Sequence, residues 1–382
     1  MVRVFKNQQC YLTYDDVLLL PGYTDFSRKD IKLETKLTKK INLDLPLVAA
    51  PMDTVAESKL AIALARLGGI AFIHRNLTVA DQAKEVKAVR DKKLLVGAAI
   101  GASSGYQERV EALVKAKVNV IVVDSAHGYA IGIINAIKWV KNKYPELQVI
   151  GGNIATPEAA EALIKAGADG LRVGMGPGAI CTTRVISGMG VPQISAVSEC
   201  VEVADKYGVP VIADGGIAYS GDIVKALAAG AGSVMMGSYF ASAEESPGMV
   251  VNLEAKQVPA RFKSILKDGI KTYKFKEYRG MGSVGAMKKG TKIKSEDEYH
   301  GKSYRDRVMV AEGVEGLVPV KGTVKDLVDQ AVGGMKSGLY YIGARSINEL
   351  QKKAKFIQIT QASLTESHPH DILVTNAGSN YQ

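Results

Sequence analysis

The sequence predicts an α/β protein, a (β/α)8 TIM barrel with a long mobile flap after its eighth strand. Two observations predict this fold. Short apolar segments rich in Val and Ile recur along the chain without alternating with polar residues, and helical segments separate most of them. Strands of this kind are buried on both faces, as in parallel sheets. A succession of eight strand–helix units favours a closed barrel over an open, doubly wound sheet.

The predicted strands are the apolar segments themselves. They span 45–50, 69–73, 94–100, 118–123, 149–153, 170–173, 209–213 and 233–236, and the clearest helices between them span 57–67, 106–117, 158–166 and 222–229. Thr156 stands before Pro157, as an N-cap stands before a proline in the first turn of a helix. Gly167 and Gly230 lie where C-terminal caps belong.

Two connections are longer than the rest. The one between the sixth and seventh strands carries Cys181, and the stretch after the eighth strand, about 239–337, is rich in Lys and Gly. Connections of such length in a compact domain are usually functional or mobile. We therefore expect one catalytic barrel domain over residues 1–382, with a flap or insertion at about 240–335.

Composition excludes several classes of protein. The 382 residues are 47% hydrophobic and 23% charged, an ordinary globular balance. The net charge of +10 favours acidic ligands, but the basic residues are scattered and aromatics make up only 6%, so we do not expect nucleic acid as a partner. Three widely spaced cysteines predict no disulfide framework, and no apolar run approaches the roughly 18 residues of a membrane span. A soluble, cytoplasmic protein is expected.

The loop after the sixth strand, 174–184, is the most informative segment. Its alternating glycines let the backbone turn sharply and bring a ligand close to the backbone amides. Cys181 stands among these amides and near Arg184, which makes it a candidate nucleophile. Cys10 and Cys200 have no such setting, and we interpret them as ordinary unreactive residues.

A phosphate site is predicted where the seventh and eighth strands end. Asp214, Gly215 and Gly216 follow the seventh strand, and Gly237 and Ser238 follow the eighth. In barrel enzymes this corner often binds phosphate through glycine amides, and an aspartate beside it suits sugar hydroxyls.

One glycine pattern is typical of a different fold, but the residues before it do not fit that fold. Residues 280–285 match GxGxxG by letter, but they follow the polar run 274–279 rather than an apolar strand. A dinucleotide-binding fold is therefore not predicted there.

Taken together, the motifs are recognisable. The chain resembles the IMP dehydrogenase family along nearly its whole length. The matching segments are 14–19, 51–55, 124–128, 174–184, 213–217, 278–283, 312–316 and 366–371. The resemblance implies that Cys181 attacks the purine C2 of IMP, that hydride passes to NAD, and that the covalent intermediate is hydrolysed to XMP after a mobile flap closes.

The resemblance also implies the binding residues. Those for IMP are Met52, Ala179, Asp214, Gly216, Gly237, Ser238, Tyr278, Gly280, Met281 and Glu312. Those for NAD are Asp124, Ser125, Asn153, Arg172, Gly174, Met175 and Gly176. A potassium ion would be held at Gly176, Gly178 and Cys181, with Glu366, Ser367 and His368 of a neighbouring subunit, which implies a homotetramer.

The chain departs from the family pattern in two main places. The regulatory CBS-domain pair usual between the second and third strands is absent, because 86–95 runs straight through. The arginine–tyrosine pair of the flap has no clean match, since acidic residues, 296–298, stand where the arginine is expected. Either Arg305 activates water from a shifted position, or Thr183 does so by relay to Glu312; we favour the relay.

Two other functions remain as alternatives. GMP reductase shares the barrel, the cysteine loop and the phosphate corner, but segments 278–283, 312–316 and 366–371 are of the dehydrogenase type. A catalytically silent nucleotide- or RNA-binding protein is suggested by the charge and the altered flap. The retention of Cys181 and Glu312 argues against it.

Overall fold

The computed structural model describes residues 10–266, 269–293 and 310–372, together with 374, 375 and 378. Its strands are β1 (Val17–Leu19), β2 (Thr35–Lys36), β3 (Asn42–Leu43), β4 (Leu47–Ala49), β5 (Ile70–Ile73), β6 (Gly97–Ile100), β7 (Val120–Asp124), β8 (Gln148–Ile154), β9 (Gly170–Val173), β10 (Val211–Asp214), β11 (Ser233–Met236), β12 (Val250–Glu254), β13 (Thr272–Arg279), β14 (Glu315–Pro319) and β15 (Phe356–Gln358).

The α-helices are α1 (Ser58–Arg66), α2 (Val79–Arg90), α3 (Tyr106–Lys115), α4 (Ile131–Lys143), α5 (Pro157–Lys165), α6 (Thr183–Ile186), α7 (Gln193–Ala204), α8 (Ser220–Ala228), α9 (Ser238–Ala241), α10 (Val284–Lys292), α11 (Val324–Ile342), α12 (Ile347–Lys353) and α13 (Gln361–Glu366). Short 3-10 helices occupy Tyr14–Asp16, Arg28–Asp30, Asp205–Tyr207, Ala255–Gln257 and Ala260–Ile265.

Strands β4 to β11 form a closed barrel of eight parallel strands, which confirms the predicted fold class. Each predicted strand is present, with bounds that differ by no more than a few residues. The barrel closes where β11 pairs with β4 in the register Val234 to Leu47 and Met236 to Ala49. Because the strands are parallel, all their carboxyl ends meet at one end of the barrel.

The strands lack alternation because both of their faces are covered. Val48, Phe72 and Met235 point into the barrel and form an inner core. Their neighbours, such as Leu47 and Ala71, join the larger core between the strands and the surrounding helices. Apolar residues are therefore required at successive positions, which is the pattern of a parallel sheet buried on both sides.

The hairpin of β2 and β3 covers the end of the barrel where the strands begin. Leu37 and Leu43 from this hairpin belong to the inner core. The hydroxyl of Thr38 donates a 2.8 Å hydrogen bond to Oε1 of Gln148 at the start of β8. The opposite end, where the strands finish, is therefore the end left for a ligand.

The four predicted helices are confirmed as α1, α3, α5 and α8. Thr156 caps α5, because its hydroxyl accepts the N–H of Ala159 at 3.4 Å. Gly167 and Gly230 both follow helix ends with φ of +105°, a left-handed conformation that favours glycine. No helix within the described ranges is both long and apolar enough to cross a membrane.

Strands β5 and β6, the second and third of the barrel, are joined through α2 alone. No additional module interrupts this connection, as the sequence indicated. Helix α11 contacts α8 and α1 and completes the ring of helices around the barrel. Its capping box of Thr323 and Asp326 fixes its start, so its first turns fall inside the stretch, about 240–335, that the sequence suggests as an insertion.

Residues 274–279 form a strand, which corrects the interpretation of this run as merely polar. They belong to β13, the central strand of the antiparallel sheet β12–β13–β14 outside the barrel. Only some of its side chains, among them Phe275 and Tyr278, are buried, so the polar residues between them hid the strand. The following GxGxxG letters still open no dinucleotide-binding fold, because that fold needs a parallel strand before the glycines.

Substitution of Gly97 should destabilise the barrel. A Cβ at this position of β6 would lie 2.3 Å from the ring of Phe72, which is fully buried. We expect Gly97→Ala to cost about 1–3 kcal/mol through overpacking. The thermal unfolding midpoint measures the effect.

Gly333→Ala is the matched control for this substitution. A Cβ on Gly333, within α11, meets nothing within 4 Å, and the change should stabilise the helix by about 0.5–1 kcal/mol. A Gly97→Ala variant as stable as the wild-type protein would contradict the close contact with Phe72.

Candidate active site

A cavity lies at the carboxyl ends of the barrel strands, where the sequence predicts the site. Its walls are loops that follow β4 and β7 to β11, together with β13 and the segment before β14. The predicted site residues that line it are Met52, Asp124, Ser125, Asn153, Arg172, Gly174, Met175, Gly176, Gly178, Cys181, Thr183, Asp214, Gly237, Tyr278, Gly280, Met281 and Glu312. The structure thus brings together most of the residues predicted for substrate and cofactor.

The other predicted residues do not line this cavity within the described part of the chain. Ala179, Gly216 and Ser238 are sequence neighbours of residues that do. Glu366, Ser367 and His368 lie at the end of α13, where the ring centroid of His368 is 5.9 Å from that of Tyr219. Arg305 and the acidic run 296–298 fall outside the described residues.

A chain of hydrogen bonds links Cys181 to a carboxylate. The Cys181 thiol donates to the hydroxyl of Thr183 at 3.2 Å, and that hydroxyl donates to Oε2 of Glu312 at 2.9 Å. All three side chains line the cavity. The Cys181 thiol and the Glu312 carboxyl group are therefore connected through one hydroxyl.

Backbone hydrogen bonds bring Glu312 to the cysteine loop. Thr182 N–H donates to the Glu312 carbonyl at 3.0 Å, and Glu312 N–H donates to the Gly282 carbonyl at 3.2 Å. A Cβ on Gly280 would lie 3.2 Å from Cα of Gly313, so two glycines permit this close approach. The segments that carry Thr182, Gly282 and Glu312 are therefore held together beside Cys181.

Arg172 holds two carboxylates that come from different strands. Its Nε donates to Oδ2 of Asp214 at 2.8 Å and its Nη1 to Oδ1 of Asp124 at 2.5 Å. Asn153 Nδ2 donates to the same Asp214 oxygen at 2.7 Å. Although burial opposes the charge of Arg172, the two carboxylates raise its pKa. The side chains of Asp124 and Asp214 are thereby held in fixed orientations at the end of the barrel.

The corner after β10 and β11 has the shape of an anion site. Gly215 and Gly216 have φ of +91° and +78°, which only glycine adopts freely. A Cβ on Gly237 would lie 2.6 Å from the hydroxyl oxygen of Tyr278. The Tyr278 hydroxyl forms a hydrogen bond with Ser238. Burial and the charge of Asp214 raise the pKa of this hydroxyl, so it stays protonated.

Asp222 supports this corner, although sequence reasoning missed it. Its carboxylate accepts the N–H groups of Ala218 at 3.0 Å and Tyr219 at 2.9 Å, which fixes the loop after Gly216. The sequence does show an acidic residue at the start of the helix predicted for 222–229. Acidic side chains at that position commonly cap backbone N–H groups.

Arg184 supports the cysteine loop in a different way from the expected one. Its guanidinium donates to the carbonyls of Met175 at 3.3 Å and Val191 at 2.7 Å. Arg184 therefore ties the start of the cysteine loop to the segment that follows the loop. Its hydrogen bonds go to backbone oxygens rather than to the Cys181 sulfur.

The cysteine loop holds the residues at which the sequence predicts a potassium ion. Among the described residues, no group of three or more His, Cys, Asp or Glu is placed to hold a metal. Gly176 has φ of +82°, and Cys181 N–H donates to the Gly178 carbonyl at 3.0 Å in a tight turn. The backbone of the loop is therefore tightly turned at the residues for which the sequence predicts a potassium site.

Comparison with known proteins identifies similar chains. A family model described as the IMP dehydrogenase / GMP reductase domain matches residues 11–370. The inosine-5′-monophosphate dehydrogenase of Cryptosporidium parvum is 43% identical, with 98% of this chain and 99% of that protein covered. That of Borreliella burgdorferi is 41% identical, with 94% and 97% covered.

A longer relative shows what this chain lacks. The inosine-5′-monophosphate dehydrogenase of Aquifex aeolicus is 37% identical, with 100% of this chain and 99% of that protein covered. The alignment spans 509 positions, whereas this chain has 382 residues, so part of that relative has no counterpart here.

The three cysteines should differ in reactivity. Burial raises the pKa of the Cys200 thiol to about 12, whereas Cys10 is exposed and Cys181 lines the cavity. We expect iodoacetamide to alkylate Cys10 and Cys181 in the native protein and Cys200 only after unfolding in urea. Peptide mass mapping measures this, with Cys10→Ser as a control. Labelling of native Cys200 as fast as that of Cys10 would disprove the assignment.

Proposed function

The chain belongs to the IMP dehydrogenase / GMP reductase family, and from this premise we propose that it is an IMP dehydrogenase that oxidises IMP to XMP with NAD. The observation that carries the proposal is the hydrogen-bonded chain of Cys181, Thr183 and Glu312 in the cavity. The relatives that bear this name extend over nearly the whole chain, which gives the proposal independent support.

In the proposed complex, the nucleotide spans the cavity from the anion corner to the cysteine. The 5′-phosphate is bound by the amides of Gly216 and Gly237, by Ser238 and by Tyr278. Asp214, which Arg172 and Asn153 hold in place, accepts the ribose hydroxyls. The purine lies between Met52 and Met281, with the backbones of Ala179 and Gly280 at its edges and its C2 next to Cys181.

The proposed chemistry has two stages. The Cys181 sulfur adds to C2 of the purine, and the hydrogen on C2 leaves with its electron pair as hydride, for which NAD is the acceptor. Water then adds to C2 of the covalent adduct, and the C2–sulfur bond breaks to release XMP. The sum is IMP, NAD⁺ and water giving XMP, NADH and one proton.

The relay favoured from the sequence fits the second stage. The Thr183 hydroxyl already donates to Glu312, so it can accept a proton from water as it passes its own proton to the carboxylate. We propose this route over Arg305, which lies outside the described residues.

The remaining parts of the cavity suit the other reactants. The proposed NAD side consists of Asp124, Ser125, Asn153, Arg172, Gly174, Met175 and Gly176.

Carbonyls of Gly176, Gly178 and Cys181 would hold potassium, which fixes the loop that carries the nucleophile. We propose that Glu366, Ser367 and His368, at the end of α13, reach a neighbouring copy in a homotetramer, as the resemblance to the family implies. The three cysteines, which form no disulfide, fit our proposal of a cytoplasmic protein.

Steady-state turnover tests the proposed function directly. With IMP, NAD and potassium, NADH should accumulate, and Cys181→Ala should abolish its formation while IMP still binds, because only the covalent step is lost. Absorbance of NADH measures the rate, and an IMP-dependent rise in the thermal midpoint measures binding. Consumption of NADPH with GMP, without NADH formation from IMP, would identify a GMP reductase instead.

Rapid mixing separates the two stages. Glu312→Gln should give one burst of NADH per active site, since hydride transfer precedes hydrolysis, and should then turn over slowly. Arg305→Ala is the comparison, and it should retain steady turnover. A burst followed by a stall in Arg305→Ala, with normal turnover in Glu312→Gln, would show that the arginine activates the water.

A further inference from the structure

A buried ion pair lies directly behind the proposed substrate site. Arg279 donates from Nε to Oδ1 of Asp53 at 3.1 Å and from Nη2 to Oδ2 at 2.5 Å. Asn76 Nδ2 donates to the same Oδ2 at 2.9 Å. The Asp53 side chain is 0% exposed and that of Arg279 is 19% exposed. This two-pronged geometry fixes both the distance and the orientation of the two segments.

The pair is ionised despite its burial. Burial opposes the charge of Asp53, but the hydrogen bonds and charge of Arg279, with smaller contributions from His74 and Asn76, hold its pKa below the usual range. Lys289 on α10 lies 3.8 Å from Oδ2 and adds a second positive charge. Removing one partner would leave a buried charge uncompensated, so the two segments are held together strongly.

Further hydrogen bonds extend the contact along both segments. The Arg279 N–H donates to the hydroxyl of Thr54 at 3.3 Å. Asn76 also donates to the Ala286 carbonyl in α10 at 3.2 Å. The chain from β13 into α10 is therefore fastened to the barrel on both sides of the loop 280–283.

The segments that this pair joins carry residues of the proposed IMP site. Met52 directly precedes Asp53, and Tyr278 and Gly280 flank Arg279. Met52, Tyr278 and Gly280 line the cavity, whereas neither Asp53 nor Arg279 does. The ion pair can thus act on a ligand only through its sequence neighbours.

We propose that Asp53 and Arg279 are positioning residues that set the spacing between Met52 on one wall of the cavity and Tyr278 and Met281 on the other, and so determine affinity for IMP. The inference rests on the proposed function, because it assigns the purine and phosphate to these walls. A purely structural ion pair would stabilise the fold without changing the affinity of folded molecules.

The Michaelis constant for IMP is the decisive measurement. Arg279→Ala should raise it by about tenfold or more, because misplaced walls bind the nucleotide poorly. Arg279→Lys keeps the charge but loses the two-pronged geometry, and it should give an intermediate value. The Michaelis constant for NAD should not change, since the residues proposed for NAD lie on β7 to β9 and the loops that follow them. Asp53→Asn, which keeps the shape of the side chain, repeats the test from the other partner.

Lys141→Met is the matched control. It removes a comparable ion pair, in which Lys141 Nζ lies 2.8 Å from Asp169 with side-chain exposures of 19% and 11%. Asp169 directly precedes β9, so this pair lies at the opposite end of the barrel from the cavity. The control should lower the thermal midpoint and leave the Michaelis constant for IMP unchanged.

The outcomes separate this proposal from the proposed function. Absence of turnover of IMP and NAD by the wild-type protein refutes the function. Wild-type turnover, with unchanged Michaelis constants for IMP in Arg279→Lys and Asp53→Asn, refutes the positioning role. An equal effect of Lys141→Met also refutes it. The IMP-induced rise in the thermal midpoint gives the same comparison without NAD, and it should shrink in the Arg279 variants and persist in Lys141→Met.

Discussion

The close approach of two glycines, Gly280 and Gly313, is the constraint on which the site depends. A Cβ at Gly280 would lie 3.2 Å from Cα of Gly313, so a side chain there would push apart the two segments that share hydrogen bonds with the cysteine loop. Those bonds, from Thr182 to Glu312 and from Val314 to Ile180, place Glu312 within reach of Thr183. Backbone, rather than side-chain bulk, fills the space between the two segments, and Glu312 is linked to Cys181 through the Thr183 hydroxyl.

Ion pairs between arginine and aspartate side chains are a second constraint on the cavity. Arg172 is committed to Asp124 and Asp214, and Arg279 to Asp53. Each aspartate is therefore held in a fixed orientation by its arginine, so little reorganisation is left for the moment of binding. The difference between the pairs is their location: Arg172 and its partners line the cavity, whereas Asp53 and Arg279 stand behind it.

The sequence predicts the barrel well because parallel strands buried on both faces form short apolar runs, and glycines such as Gly167 and Gly230 end helices in a recognisable way. It hides β13, whose buried and exposed side chains are mixed in a sheet outside the barrel. Candidate site residues such as Cys181 and Asp214 can also be predicted from the sequence, since they follow predicted strands. The hydrogen-bond partners of the site residues cannot be predicted in this way. The bonds of Arg172 to two carboxylates depend on strand register, and the bonds of Arg184 depend on the path of a loop.

The two stages of the proposed reaction draw on different parts of the chain. In the proposed reaction, the nucleophile Cys181 lies on the loop after β9 and the sugar contact Asp214 lies at the end of β10, so both come from the barrel. Glu312 comes from the long connection between β11 and α11, and it reaches Thr183 only through the backbone contacts of Gly282 and Thr182. In this proposal, both stages use the wall that β13 and the loop 280–283 contribute to the cavity, and hydrolysis additionally needs Glu312 to be seated against the barrel. The ion pair of Asp53 with Arg279 fastens this connection to the barrel, so in the proposed reaction it serves both the binding of substrate and the placement of Glu312.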